Sequence, residues 1–475
     1  MIKKHLSIII ILLLTLALMA GCDSLPEDPG KTDEARIKIQ EEYEALIEAS
    51  SQFYTMEDYA HYLLKWAASR EIRASYDGSG NVIMSRTPSE GYSSQNSLNI
   101  SVPLNLKDIE KNGLAAATAL SFLDKAAENN FMRLIFTNDE DPGHPGAVGL
   151  NKRFLNAANH ILLQWDPQGP SEDLSVRIGG AGYSRHVMEK EITTIPSSYP
   201  IAYTVSIDGL QGGDTSSLSS RNPNPIKILG DLLATWKSEG ILYELASFEG
   251  VGEEGQYPES AALTILLNDN DVKRFLNSGE KAKKKFIDDY GDKEPDAQFL
   301  IEEVSRPEIV LSPSSGDSIV SLMYTLVNGI VERDEEKGEI QLFSQMERVS
   351  TSNNRFVLEI GGRFLQKESN DNLNEMLLII AGLSEVTHQQ IDEFPAWITQ
   401  ESSPLLVSLV SSAKLQGKEV MTYQDFFFDE ASIFSQYENL GDLVSLSIHE
   451  ANAESVFLLL IDAVKIKEPP GDPPS

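Results

Sequence analysis

The sequence predicts an α/β protein, a sheet with helices on both faces interrupted by a long α+β insertion. Three observations predict it. Short apolar strands alternate with helical periods from about residue 33 to Trp165. From about Ser171 to Gln400 the strands grow longer and are separated by charged helices. From Pro404 to Ile466 the order is helix, strand, strand, helix, which would complete the first sheet. With 41% apolar residues in 475, the chain can bury large cores, and its length favours two or three domains. The expected division is a leader over 1–21, a tether over 22–33, the first part of the α/β domain over 34–171, the insertion over 172–400, the second part over 401–467 and a tail over 468–475.

The N-terminus reads as an export signal. Lys3 and Lys4 give a positive start, and Leu6 to Met19 is apolar apart from Ser7 and Thr15. That run is short for a bilayer, which needs about 20 apolar residues, but it fits a signal core. It ends in Leu18-Met19-Ala20-Gly21-Cys22, which resembles the lipobox of bacterial lipoproteins, with Met19 where leucine is usual. Cys22 is then the lipidated first residue of an exported, membrane-anchored envelope protein, its acyl chains entering the bilayer. As the chain's single cysteine, it leaves no intrachain disulfide and no thiolate zinc cage. Residues 23–33 are polar and rich in proline and glycine, as a tether is. The formal charge of −33 repels nucleic acid and anionic headgroups, so no nucleic-acid partner is expected.

The individual elements follow from local pattern. Asp33 to Ser51 is a charged amphipathic helix. Thr55-Met-Glu-Asp58 has capping-box spacing and opens a helix to about Ser69. Arg73–Asp77 and Asn81–Arg86 flank Gly78-Ser-Gly80 as a hairpin. Leu98–Val102, Met132–Thr137 and Ile161–Trp165 are strands, and Leu114–Ala127 is an alanine-rich helix. The insertion has expected strands at Tyr199–Ile207, Leu242–Phe248, Ala261–Leu267, Glu339–Met346 and Arg355–Ile360. Its expected helices are Pro225–Glu239, Asp269–Tyr290, Ser318–Val327 and Asn372–Leu383, and the insertion is read as two similar halves.

This order and several local strings resemble the di-zinc metallopeptidases of the aminoacyl-histidine dipeptidase type. The strings are Tyr59–Met84, Asn112–Leu120, Thr137–Leu150 and Asp208–Gly213. The resemblance runs from about residue 40 to 466 and implies a catalytic α/β domain with an inserted lid. It also implies two zinc ions held by histidine and carboxylates, with a glutamate as general base.

Residue by residue, that apparatus is altered. A ligand histidine and its orienting aspartate correspond to Pro103 and Asn105, and the bridging aspartate to Lys111. The general base corresponds to Glu140, and remnant ligand positions to Asp141, Asp166 and, within a shortened loop, His449. A histidine that steadies the oxyanion corresponds to Asp214. The Arg-Asn pair that holds the substrate carboxylate falls near Glu254, whose charge would repel it. One expectation is that the Lys111 ammonium takes the place of the ions, facing Glu140, Asp141 and Asp166; the alternative is a solvated lysine at a helix start. No Gly-x-Ser-x-Gly elbow, phosphate loop or paired histidine spacing is present. Thr215–Ser220 reads as a serine-rich loop and His144 as a turn residue.

The reading is a non-catalytic relative, a pseudoenzyme with no metal cofactor, that binds a peptide, a cell-wall fragment or another envelope protein. The alternative is an active metal-dependent dipeptidase or amidohydrolase with zinc in a rearranged site on Glu140, Asp141, Asp166 and His449. Anchoring is tested directly. Cys22→Ser is expected to leave the precursor unprocessed or release the protein from membranes, and mass spectrometry showing an unmodified mature N-terminus elsewhere would contradict it.

Overall fold

The computed structural model describes residues 29–140, 143–165, 174–212, 222–252, 256–336 and 338–466. The leader, Cys22 and the tail lie outside them. The first helix, Pro29–Ser50, begins inside the expected tether, so Pro29 to Asp33 are helical rather than extended. A proline is tolerated in the first turn because the N–H it lacks has no intrahelical partner there.

The next helix, Met56–Ala68, opens on the expected capping box. The Thr55 side chain accepts from the Asp58 N–H, and the Asp58 carboxylate accepts from the Thr55 N–H. The two helices are joined through buried Glu42. It accepts from Trp66 Nε1 at 2.6 Å and pairs with Arg70 at 2.7 Å and Lys38 at 3.0 Å.

The first sheet has the order Arg73–Tyr76, Val82–Arg86, Met132–Asn138, Leu98–Leu104, Ala157–Gln164, Leu440–Ser447, Leu174–Gly180, Trp397–Ile398, with Val420–Gln424 also paired to Leu174–Gly180. Leu174–Gly180 and Trp397–Ile398 thus lie in this sheet, although the sequence assigns them to the insertion. The insertion proper runs between them, from Gly182 to Phe394. Side chains alternate across the first sheet. Leu98, Ile100, Val102, Met132, Leu134 and Phe136 enter a core shared with five helices, including Ile109–Lys125, Pro404–Leu415 and Ala453–Ala463. Ile83 and Ile135 enter a second cluster on the other face, with Ala147, Phe428, Ile433, Phe434 and Tyr183.

The inserted sheet has the order Gln298–Val304, Ile201–Asp208, Ser260–Leu267, Tyr243–Val251, Ile340–Ser350, Arg355–Phe364, Gly182–Glu191, Thr387–Phe394, and Gly329–Arg333 pairs with Ile340–Ser350. Its two four-stranded halves meet at one registered pair, Gly250 opposite Val349. Four helices cover it: Pro225–Ser238, Asp269–Tyr290, Pro313–Thr325 and Lys367–Leu383. Among the described residues no helix is long and apolar enough to cross a membrane.

Thr55→Ala removes one half of a reciprocal cap. It is expected to cost about 1 kcal/mol of unfolding free energy, read from urea melts, and an unchanged midpoint would show that the cap contributes nothing.

Candidate metal centre

Leu98–Leu104, Met132–Asn138, Ala157–Gln164 and Leu440–Ser447 run parallel, with Leu104 opposite Asn138 and Ser447 opposite Gln164. Carboxyl ends of parallel strands are where open α/β sheets present their ligand-binding loops. Pro103, Asn105, Glu140 and His449 all come from these ends. Asp141, Asp166, Asp214 and Glu254 lie outside the described residues.

The described residues at this edge have local partners. Pro103 lies opposite Thr137, past the point where pairing to Ala157–Gln164 stops at Ser101, so its missing N–H leaves no gap in that ladder. Asn105 donates to the Asp139 carbonyl at 2.9 Å and accepts from the Lys107 N–H at 2.8 Å, and its own carbonyl accepts from Asn112. Lys111 Nζ lies 2.9 Å from Asp108 Oδ1 and 4.7 Å above the Trp165 ring, half exposed. Of the expected partners Glu140, Asp141 and Asp166, the last two lie outside the described residues; among the described residues the ammonium pairs with Asp108, one helical turn back, rather than with Glu140. Glu140 is half-buried, its N–H donating to Asn138 Oδ1. The His449 N–H donates to Asn452 Oδ1 at the start of Ala453–Ala463, while its buried Nε2 has no hydrogen-bond partner among the described residues.

A different group converges behind this edge. Asp139, His144 and Glu430 each bring one ligand-type atom within 4.8 Å of the others. His144 Nδ1 is 2.6 Å from Asp139 Oδ1, and Glu430 Oε2 is 2.8 Å from the Thr137 hydroxyl. Glu430 is fully buried, and among the described residues its Oε1 has no hydrogen-bond partner.

Each member is fixed by its surroundings. His144 sits at φ 53°, the left-handed region, immediately before the short helix Pro145–Gly149. Gly146 then packs so close to the first sheet that an added Cβ would lie 2.4 Å from the Asn138 nitrogen. Buried Asn81 binds both sides of this approach, donating to the Gly146 carbonyl and accepting from the Asn138 N–H. Glu430 opens the short helix Glu430–Ser435, capped by Asp429, whose Oδ1 accepts from the Ala431 N–H. Asp429 is paired in turn with Arg177, a fully buried guanidinium that also reaches Asp425 at 3.3 Å.

Burial pushes the Glu430 carboxyl up to about 8, and the nearby Asp139 charge adds to the shift. His144 and the Thr137 hydrogen bond act in the opposite sense. At neutral pH Glu430 therefore holds a proton when no cation is present.

No family model matches the chain. It is 21% identical over 391 residues to the cytosol non-specific dipeptidase of Escherichia coli K12, an alignment covering 74% of this chain and 79% of that protein. The crystal structure of aminoacylhistidine dipeptidase from Vibrio alginolyticus superposes with a TM-score of 0.61 at 18% identity, over 86% of this chain and 93% of that one. The chain has the dipeptidase fold. It is mixed α/β, with a catalytic-type domain and a lid domain.

Three described residues at positions to which the resemblance assigns metal-site roles, Pro103, Asn105 and Lys111, are not zinc donors here, while Glu140 and His449 carry donor atoms. Proline offers no ligand atom, an ammonium has no lone pair to give, and the Asn105 amide is engaged by the backbone. The Asp139–His144–Glu430 group was missed by sequence reasoning, which read His144 as a turn residue only. One signal was available: Asp429-Glu430 interrupts an otherwise apolar run from Phe426 to Phe434 broken elsewhere only by Ser432. An acid inside such a run must be paired, protonated or liganded.

The proton on Glu430 has a consequence for stability. The unfolded carboxyl loses it near 4.5 and the folded one near 8. The folded state thus binds more protons between those values, and its stability falls as pH rises through that window. With a chelator present, Glu430→Gln is expected to remove this decline. The variant should gain on the wild type between about pH 5 and about pH 8 in denaturant melts; a constant difference would contradict a neutral buried carboxyl.

Proposed function

We propose that this chain is an exported, lipid-anchored relative of the dipeptidases that has lost di-zinc hydrolysis and acts as a binding or scaffold protein of the bacterial envelope. The observation that carries the reading is the engagement of Asn105 and Lys111. The amide is held by two backbone groups, the Asp139 carbonyl and the Lys107 N–H, and the ammonium is paired with Asp108 over Trp165, at positions where the resemblance puts metal-site residues. A cation at the bridging position opposes two dications by Coulomb repulsion, and no local rearrangement makes it a ligand. The cleft between the two domains is then a place to hold a peptide, a wall fragment or another envelope protein. Acylated Cys22 attaches it to the bilayer, and the strongly acidic surface keeps the folded part in water.

A second reading is favoured by one observation, the Asp139–His144–Glu430 group. It is a metal-dependent dipeptidase or amidohydrolase working from a rearranged site, with Glu140 nearby as the base. The two readings separate in one assay. Purified protein is expected to show no turnover of Xaa-His or related dipeptides, even with added zinc. Turnover abolished both by a chelator and by Glu140→Ala would establish the second reading.

A further inference from the structure

We propose that Asp139, His144 and Glu430 form a site for a single first-row divalent cation of the zinc class. None of the three is a position to which the resemblance assigns a metal ligand, so the site is new to this chain. One imidazole and two carboxylates are a donor set suited to zinc, which takes such ligands at about 2.0–2.2 Å. Their ligand atoms already lie within 4.8 Å of one another.

The independent observation is Glu430 Oε1. It belongs to a fully buried side chain, on the carboxyl that faces Thr137, and among the described residues it has no hydrogen-bond partner. A buried polar oxygen left without a partner costs about 1–3 kcal/mol, so an oxygen in this place calls for a ligand. A dication supplies it, the Glu430 proton passing to solvent as the ion binds, and neutralises both carboxylates at once. Binding needs local adjustment: the 2.6 Å Asp139–His144 contact opens to roughly 3.3 Å, the separation of two ligands on a tetrahedral ion, and the three ligand atoms, within 4.8 Å of one another, draw to that spacing. His144 lies at a loop before a short helix, its ring 5.4 Å from that of Phe428 in a T-shaped contact.

The position has structural meaning. The cation would join the loop after Met132–Asn138, the turn into Pro145–Gly149 and the first turn of Glu430–Ser435, segments on opposite sides of the insertion in sequence. Phe428, which touches His144, also stacks on Tyr183 at 5.0 Å, and Tyr183 is in the first strand of the lid. The ion therefore fastens the catalytic-type domain where the lid begins.

The test uses the full chain stripped of metal and then titrated with Zn²⁺ or Co²⁺. One ion per chain is expected by elemental analysis, with visible Co²⁺ absorption bands and a rise in Tm. Glu430→Gln and His144→Asn should each weaken binding about tenfold or more, and Glu140→Gln should leave it intact. If Glu430→Gln does not fold, His144→Asn decides, since asparagine tolerates the left-handed backbone. Absence of bound ion in the wild type, or unchanged affinity in His144→Asn, overturns the proposal. So does loss of binding in Glu140→Gln, which would place the ion at the strand ends instead. Turnover is not part of this readout, so its outcome is separate from that of the dipeptidase assay.

Discussion

A guanidinium sealed inside the protein sets the geometry on which the rest depends. Arg177 lies on the strand that leads into the insertion, and Asp429 on the segment that returns from it. Breaking a buried pair of this kind leaves an uncompensated charge and costs about 3–5 kcal/mol. Arg177 also meets Asp425, Ser445 and the face of Phe427, and Gln164 donates to the same aspartate. One oxygen of Asp429 is thus held by the cation and the amide while the other caps the short helix. That double duty fixes where Glu430 points, and brings its carboxyl to Thr137 across nearly 300 residues of sequence.

The first sheet separates its work by face. Leu134 and Phe136 build the large core under the long helices, while Ile135 and Thr137 face the short ones. The large hydrophobic core lies on the first face, away from the carboxyl edge. A dipeptidase fold thus carries a proline and an asparagine at its strand ends and a lysine in the first turn of Ile109–Lys125.

Local signals in the sequence were legible where they are self-contained. The Thr55–Asp58 cap, the hairpin around Gly78–Gly80, the alanine-rich helix and most lid strands need only a few neighbouring residues to be recognised. Gly182–Glu191 was not placed, because arginine, histidine and lysine along it obscure the alternation that its partners on both sides impose. Glu430–Ser435 is less than two turns long, too short for any period to appear. The partner of Lys111 was not legible in the sequence. Asp108, one turn back, takes the ammonium by proximity, and a long-range carboxylate cannot compete with a partner already in reach.

His144 adopts a backbone conformation that a side-chain-bearing residue enters at a cost of about 1–2 kcal/mol. Glycine would occupy the same turn without that penalty. The turn could therefore be made more stable by a residue with no imidazole, and the present residue holds a less relaxed chain in exchange for a nitrogen beside two acids. That is a trade between backbone comfort and chemistry. It makes thermostability an adverse guide here: a variant selected for a higher melting temperature would be drawn towards glycine at 144 and away from whatever the imidazole does.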